Sequence, residues 1–444
     1  MKKLFAILTA AAMLFTVLCG CASQQTTEQV GTESESQDTQ SSGEKTKFVV
    51  WLYKTFDDNS NQMAVERAEA FGELHNLDME IELVAQKDWF SKWSAAIEAK
   101  TTPDVSYFPY NSIPTYYEMG ALEPVDDVIE TVEGIQGEYF EGTLSAVKYG
   151  DHYYGVPLNV QPHVMFYRTD KLEAAGYSEP PATWEEYVEV AKAITNESEG
   201  FYGSGIGIAA NNSDTEWLMR TILWGYGAAE TEEDGKTVTI NSPETAEALN
   251  IIKELFDSKA TPESAKNWDD SGNNTAYLAG QVGMVVNVGT LITTLQNDMP
   301  DLAEVTGVCP VPGGPEGTFS TGALGTYGIF KNTQNLELAK EFIAFQFETE
   351  WYDSWIEATA PFFVPPFTRS ADMEIWQSPT NALFYEAATN FGSLGRPASL
   401  SSGLANLFNN RTINQALMKI VVDGDSVEDA MQFLEDAYNQ ELNP

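Results

Sequence analysis

Three short stretches carry the side chains best suited to chemistry. They are Tyr53-Lys54-Thr55-Phe56-Asp57-Asp58, Tyr107-Phe108-Pro109-Tyr110-Asn111 and Asn211-Asn212-Ser213-Asp214-Thr215-Glu216-Trp217. Each sets aromatic rings beside carboxylates or amides. That mixture suits holding a ligand rather than breaking its bonds, because a ring offers an apolar platform while Asp, Asn and Glu pair hydroxyl groups. Flat-faced molecules ringed by hydroxyls, such as sugars, need both. The candidate contacts are Tyr53, Asp57, Asp58, Tyr107, Phe108, Tyr110, Asn111, Asn212, Asp214, Glu216 and Trp217. Core packing is the competing reading for each aromatic among them.

Bond-making chemistry finds little support. With 66 acidic residues, a carboxylate pair at glycosidase spacing must occur by chance, so such pairs carry no evidence. The chain has no G-x-S-x-G, H-E-x-x-H or Walker A sequence. Gly203-Ser204-Gly205-Ile206-Gly207 does not fit the dinucleotide fingerprint. The three histidines, His75, His152 and His163, are far apart and read as packed or hydrated. Asp269-Asp270-Ser271-Gly272-Asn273-Asn274 has oxygen ligands suited to calcium but lacks EF-hand spacing, so it reads as a turn. Cys309 reads as a small buried strand residue. No cofactor or metal is expected.

The three stretches must be positioned by the elements around them. Lys47 to Tyr53 is a β-rich run, and Met79 to Val84 alternates apolar and acidic residues with the period of a strand. Ala64, Ala68, Phe71 and Leu74 mark a helix over Ser60 to His75. Thr183-Trp184-Glu185-Glu186 is a capping box, followed by an apolar helical face of Trp184, Tyr187, Val188, Ala191 and Ile194. Ser242-Pro243 starts another helix, with Leu249, Ile252 and Leu255 or Phe256 turned inward. One further helix is expected near Leu336 to Trp355, burying Leu338, Phe342 and Phe345. Alternation of this kind predicts an α/β fold, and open α/β sheets place ligands in the loops that follow their strands.

Composition and the N-terminus set the context. Lys and Arg number 24 against 66 Asp and Glu, a net charge of −42. So negative a body repels nucleic acid and anionic membranes and disfavours anionic ligands. Residues 1–21 read as a signal peptide: Lys2 and Lys3, an apolar run from Leu4 to Leu18, then Cys21. The ending Leu18-Cys19-Gly20-Cys21 resembles a bacterial lipobox, so Cys21 is expected to become a lipid-bearing N-terminus. Residues 22–46 are rich in Gln, Thr, Ser and Glu and read as a disordered tether. Its typical reach is roughly 25–30 Å.

Several segments together resemble the extracellular solute-binding proteins of bacterial ABC importers, in the sugar-binding family that includes maltose-binding protein. They are Thr102-Pro103-Asp104-Val105, Gly120-Ala121-Leu122-Glu123-Pro124, and Val156-Pro157 leading to Phe166-Tyr167-Arg168-Thr169-Asp170-Lys171-Leu172. Pro180-Pro181-Ala182-Thr183-Trp184-Glu185-Glu186-Tyr187 follows, then Asn241-Ser242-Pro243-Glu244 and Gly280-Gln281-Val282-Gly283-Met284. Pro310-Val311-Pro312-Gly313-Gly314-Pro315 and Leu338-Ala339-Lys340-Glu341-Phe342-Ile343 complete the set, in the family's order. The resemblance implies a two-lobed periplasmic-binding-protein-like fold, with a hinge and a ligand cleft between the lobes. One lobe is expected to take residues 47–158 plus 312–362 and the other 163–308 plus 367–444. Hinge crossings are expected near Pro157 to Pro162, Gly307 to Pro312 and Pro361 to Pro366.

By the same resemblance, all three aromatic stretches fall at ligand-contacting positions. Gly289-Thr290 departs from the family's Gly-Trp, so a stacking platform is expected to be missing at Thr290; Trp224, Trp268 or Trp355 would have to compensate or else are structural. Arg396 and Asn406 lie in a stretch that often faces the cleft. The implied function is capture of a neutral carbohydrate for an ABC permease with a separate ATPase chain, by a monomer held to the membrane through Cys21, with no nucleic-acid partner. A sugar-phosphate receptor using Arg168 and Arg396, and a surface glycoside hydrolase, are the alternatives.

Overall fold

Eleven strands build the frame of this protein, described here from a computed structural model that covers residues 45–55 and 57–444. Cys21, most of the 22–46 tether and Phe56 lie outside the described residues. In chain order the strands are β1 (Lys47–Lys54), β2 (Asp78–Ala85), β3 (Val105–Pro109), β4 (Lys148–Tyr149), β5 (His152–Tyr153), β6 (Val156–Pro162), β7 (Val164–Arg168), β8 (Tyr202–Ser204), β9 (Val282–Asn287), β10 (Thr306–Cys309) and β11 (Gly322–Ile329). β4 and β5 form a small hairpin; the rest divide between two sheets.

The first sheet has the order β2-β1-β3-β11-β6, with β1, β2 and β3 parallel and β11 antiparallel to both neighbours. The second has the order β10-β7-β9-β8. The chain passes from the first to the second between Pro162 and Val164, at His163, and returns between Cys309 and Gly322. A third segment pairs with the first sheet where Val160 and Val364 exchange backbone hydrogen bonds of 2.8 and 2.9 Å. Helix Pro379–Thr389, which follows, packs against β6, β7 and β10 and so touches both sheets. This is the mixed α/β, two-lobed architecture that the sequence predicts. Among the described residues, no helix is long and apolar enough to cross a membrane.

Local chemistry accounts for the elements. Helix Asp58–Leu74 is capped by Asp57, whose carboxylate accepts the N–H groups of Asn59 and Ser60 (3.1 Å each). It lays Phe71 against Phe48 of β1 and Phe342, with ring centroids 5.2–5.9 Å apart. Thr183 caps helix Trp184–Ile194 through the Glu186 N–H (3.2 Å), but Glu186 reaches back to the Ala182 N–H (2.8 Å) rather than to Thr183. Ser242 caps helix Pro243–Asp257 through the Thr245 N–H (3.2 Å). Cys309 ends β10 buried, and burial pushes its thiol up to about 12.

The expected helix near Leu336 to Trp355 is also corrected. The run from Leu336 to Trp355 is two helices, Leu336–Phe345 and Thr349–Thr359. The break is held by tertiary bonding: Gln136 donates to the Phe347 carbonyl (2.6 Å), and Phe347 is buried against Tyr352 and Phe367.

Candidate functional site

The candidates fall into two groups, one at the ends of β1 and β3 and one at the start of helix Ser213–Gly225. On the first sheet Tyr53, at the end of β1, stacks on Tyr107 of β3 with centroids 5.0 Å apart and planes 24° from parallel. Trp89 stands edge-on to Tyr53 at 5.0 Å. Burial pushes the Tyr53 hydroxyl up to about 12 and holds that of Tyr107 well above its ordinary range. Behind the pair lies a void of about 20 Å³ lined by Tyr53, Thr55, Tyr107, Asn159, Tyr327 and Trp355, room for about one water. Asn159 is fully buried, and neither its amide nor the Trp355 indole N–H has a partner among the described residues.

The second group surrounds the start of helix Ser213–Gly225. Asn212 caps that helix through the Thr215 N–H (2.8 Å) and donates to the Trp268 carbonyl (3.0 Å). Asp214 accepts from Asn273 (3.1 Å), and its own N–H donates to Asp270 (3.2 Å). Asn287, the last residue of β9, donates to Asn274. Burial first, and then the charge of Asp270, push the Asp214 carboxyl up to about 7. Arg411 is the cation facing this cluster; burial lowers its pKa against the pull of Glu216, Asp270 and Asp214.

Tyr110 and Asn111, buried in the turn that follows β3, lead from the first group toward the second. The Tyr110 hydroxyl accepts the Leu394 N–H (3.0 Å), and its ring lies 6.2 Å from Trp217. Asn111 donates to Asn409 (3.5 Å), two residues before Arg411. Nearby, Glu118 accepts from the Ser402 N–H (3.1 Å). Gly289 is held by a close approach: a Cβ there would sit 2.5 Å from the Pro361 carbonyl oxygen, so only glycine allows this contact between the loop after β9 and the 360–363 segment.

Not every candidate joins these groups. Phe108 is fully buried and stacks on Trp93 at 4.7 Å, a core position with no surface for a ligand. Glu216 is equally interior, paired to Arg220 (3.1 Å) and accepting the Asn414 N–H (3.0 Å). Asp57 and Asp58 are exposed at the start of their helix, where negative charge also suits the helix dipole. Thr290 is half-buried at the start of helix Thr290–Asp298, beside the Gly289 contact. Arg396 lies over Phe319 (4.5 Å) on a separate cavity, and Asn406 donates to Glu441 (2.8 Å). Arg168 already forks onto Asp170 (2.8 and 2.7 Å), which leaves no paired clamp for phosphate.

Asp270, Asn273, Asn409, Arg411, Trp89 and Asn159 escaped the sequence reading. Asp270 and Asn273 stood in the Asp269–Asn274 run, legible there only as a turn; Asp269 does cap one, accepting from the Ser271 N–H (3.1 Å).

A family model described as bacterial extracellular solute-binding protein matches residues 66–383. A Brucella abortus protein described only as a binding protein is 26% identical over 309 residues, 68% of this chain and 71% of its own length. An arabinooligosaccharide-binding protein of Halalkalibacterium halodurans is 24% identical over 253 residues, 55% of this chain and 54% of that protein. In fold, the chain is similar to an ABC transporter solute-binding protein of Thermotoga lettingae solved with α-D-tagatose. Their TM-score is 0.76 at 18% identity, covering 90% of this chain and 100% of the other.

Proposed function

This chain belongs to the bacterial extracellular solute-binding protein family, and on that premise we propose that it captures a neutral oligosaccharide between its two lobes and delivers it to an ABC permease driven by a separate ATPase chain. The lobes are residues 47–158 with 312–362 and residues 163–308 with 367–444. The observation that supports the reading is the contact of Tyr110 and Asn111, in the turn after β3 of the first sheet, with Trp217 of helix Ser213–Gly225 and Asn409 of helix Ser402–Asn409. An aromatic face then comes from the half-buried Tyr53, backed by Tyr107 and flanked by Trp217, both buried here. Hydrogen-bonding groups come from Asn111, Asn212, Asp214, Asp270 and Arg411.

The acid excess favours a neutral ligand over an anionic one at this place. Relatedness to an arabinooligosaccharide-binding protein supports an oligosaccharide. Closure follows because a ligand touching both lobes favours the closed state by its differential affinity. The protein acts as a monomer without catalytic activity, exported and held to the membrane by lipid on Cys21.

A thermal-shift panel tests the ligand class. A bound sugar present at about 100 times its Kd adds about 2.7 kcal/mol to folding stability, so at least one arabino- or malto-oligosaccharide is expected to raise the melting midpoint by several degrees. A shift with peptides or polyamines and none with any sugar would overturn the assignment.

A further inference from the structure

A cavity of about 610 Å³ lies apart from the Asp214 group and shares no lining residue with it. Phe391 links the two places: its ring lines the cavity and packs edge-on against Tyr110 (5.6 Å), the same ring that leans toward Trp217. On the lobe boundaries proposed above, the walls come from both lobes. Helix Glu141–Ser145 precedes β6 of the first sheet, Thr318 and Phe319 lie in the return crossing from β10 to β11, and residues 389–399 follow the helix that touches both sheets.

The chemistry of the lining is specific. Arg67, Arg168, Arg220 and Arg369 each hold a carboxylate within 4.0 Å. Arg396 and Arg411 hold none among the described residues, although acidic residues outnumber basic ones 66 to 24; Arg411 instead donates to the Phe408 and Asn409 carbonyls (2.8 and 3.1 Å). The Arg396 guanidinium is laid over Phe319, which fixes a planar fork of donors on the cavity wall. Such a fork matches a carboxylate in two-point geometry. Ser145, Thr318, Asn390 and Ser393 add hydroxyl and amide partners, and Phe319 and Phe391 add apolar surface. Glu141 is the one acid on the lining; it accepts from ligand hydroxyls and repels a second negative charge, which disfavours phosphate esters. The volume lies within the ordinary range for small-molecule sites.

We propose that this cavity is a second ligand site, for a hydroxylated monocarboxylate of the uronic acid type, with Arg396 as the carboxylate clamp. Because its walls belong to both lobes, an occupant bears on their relative position.

Calorimetric titration of the full chain with sodium D-glucuronate, and with D-glucose and glucose 6-phosphate as controls, tests this. Glucuronate is expected to bind in preference to both controls, and Arg396→Gln is expected to weaken it at least tenfold while leaving the melting midpoint unchanged, since the side chain is exposed. In Asp214→Asn, glucuronate binding is expected to persist. Equal glucuronate affinity in wild type and Arg396→Gln overturns the proposal. So does loss of binding in Asp214→Asn, or no binding up to about 10 mM. The glucuronate arms decide the matter whether or not a neutral sugar binds at the first site, so failure of one reading is separable from failure of the other.

Discussion

Arg220→Met is expected to lower the unfolding free energy by about 3–5 kcal/mol, measured as a shift in the denaturant midpoint at unchanged slope. The Arg220 side chain is 1% exposed between Glu216 at 0% and Glu230 at 2%. Its guanidinium donates to Glu230 through Nε (3.1 Å) and Nη2 (2.7 Å), and to Glu216 through Nη1 (3.1 Å). Burial alone would lower the Arg220 pKa, but Glu230, Tyr438 and Glu216 together raise it above the ordinary value, so the cation stays charged. Removing it leaves Glu216 and Glu230 buried without the cation they share. Methionine fills similar space, so the loss reports charge rather than a cavity. Glu216 also accepts the backbone N–H groups of Ile413 (3.4 Å) and Asn414 (3.0 Å), tying helix Ser213–Gly225 to helix Thr412–Met418. A change below about 1 kcal/mol would show that this network does not hold the two helices together.

Asp214→Asn is expected to do two opposite things at once. In the folded protein the Asp214 carboxyl is held up to about 7, against 3.8 for the free group. Between those values the folded state keeps a proton that the unfolded chain has lost. Stability therefore falls as pH rises from the unfolded value through the folded one. Asparagine removes this dependence, so the variant melts above wild type at pH 8, by about 1–3 kcal/mol, and the difference vanishes near pH 4. Ligand binding moves the other way. An ionised carboxylate that accepts from a ligand hydroxyl contributes about 1.5–3 kcal/mol, so sugar affinity falls about tenfold to a hundredfold at pH 8. A residue that costs stability and repays it in binding fits a ligand site. If the variant is more stable yet binds sugar as wild type does, Asp214 does not contact the ligand.

What the sequence reveals, and what it hides, follows from the range of the interactions. β1, β2, the Thr183 and Ser242 caps and the helix beginning at Asp58 depend on neighbours a few residues away, and their patterns are legible. The break at 346–348 is not, because apolar spacing runs on through it and the bond that stabilises it comes from Gln136, 211 positions away. The site is hidden for the same reason. Asp214 meets Asp270 across 56 positions, and Asn111 meets Asn409 across 298. Asp214 and Glu216 look alike in the sequence, but two steps along a helix turn a side chain by roughly 200°, so one reaches the cluster and the other the interior. Phe108 follows Tyr107 in a strand whose residues are all buried, and only packing shows that it faces Trp93 rather than a ligand.

The proposed function requires that the place where Tyr110 and Asn111 meet the residues around helix Ser213–Gly225 bind a neutral oligosaccharide. Calorimetric titration of the protein with linear arabino- and malto-oligosaccharides tests it most directly. Saturable one-to-one binding of at least one of them is expected, in the micromolar range or tighter, with about tenfold or greater weakening by Asp214→Asn. No binding of any neutral sugar, or binding that Asp214→Asn leaves untouched, would contradict it.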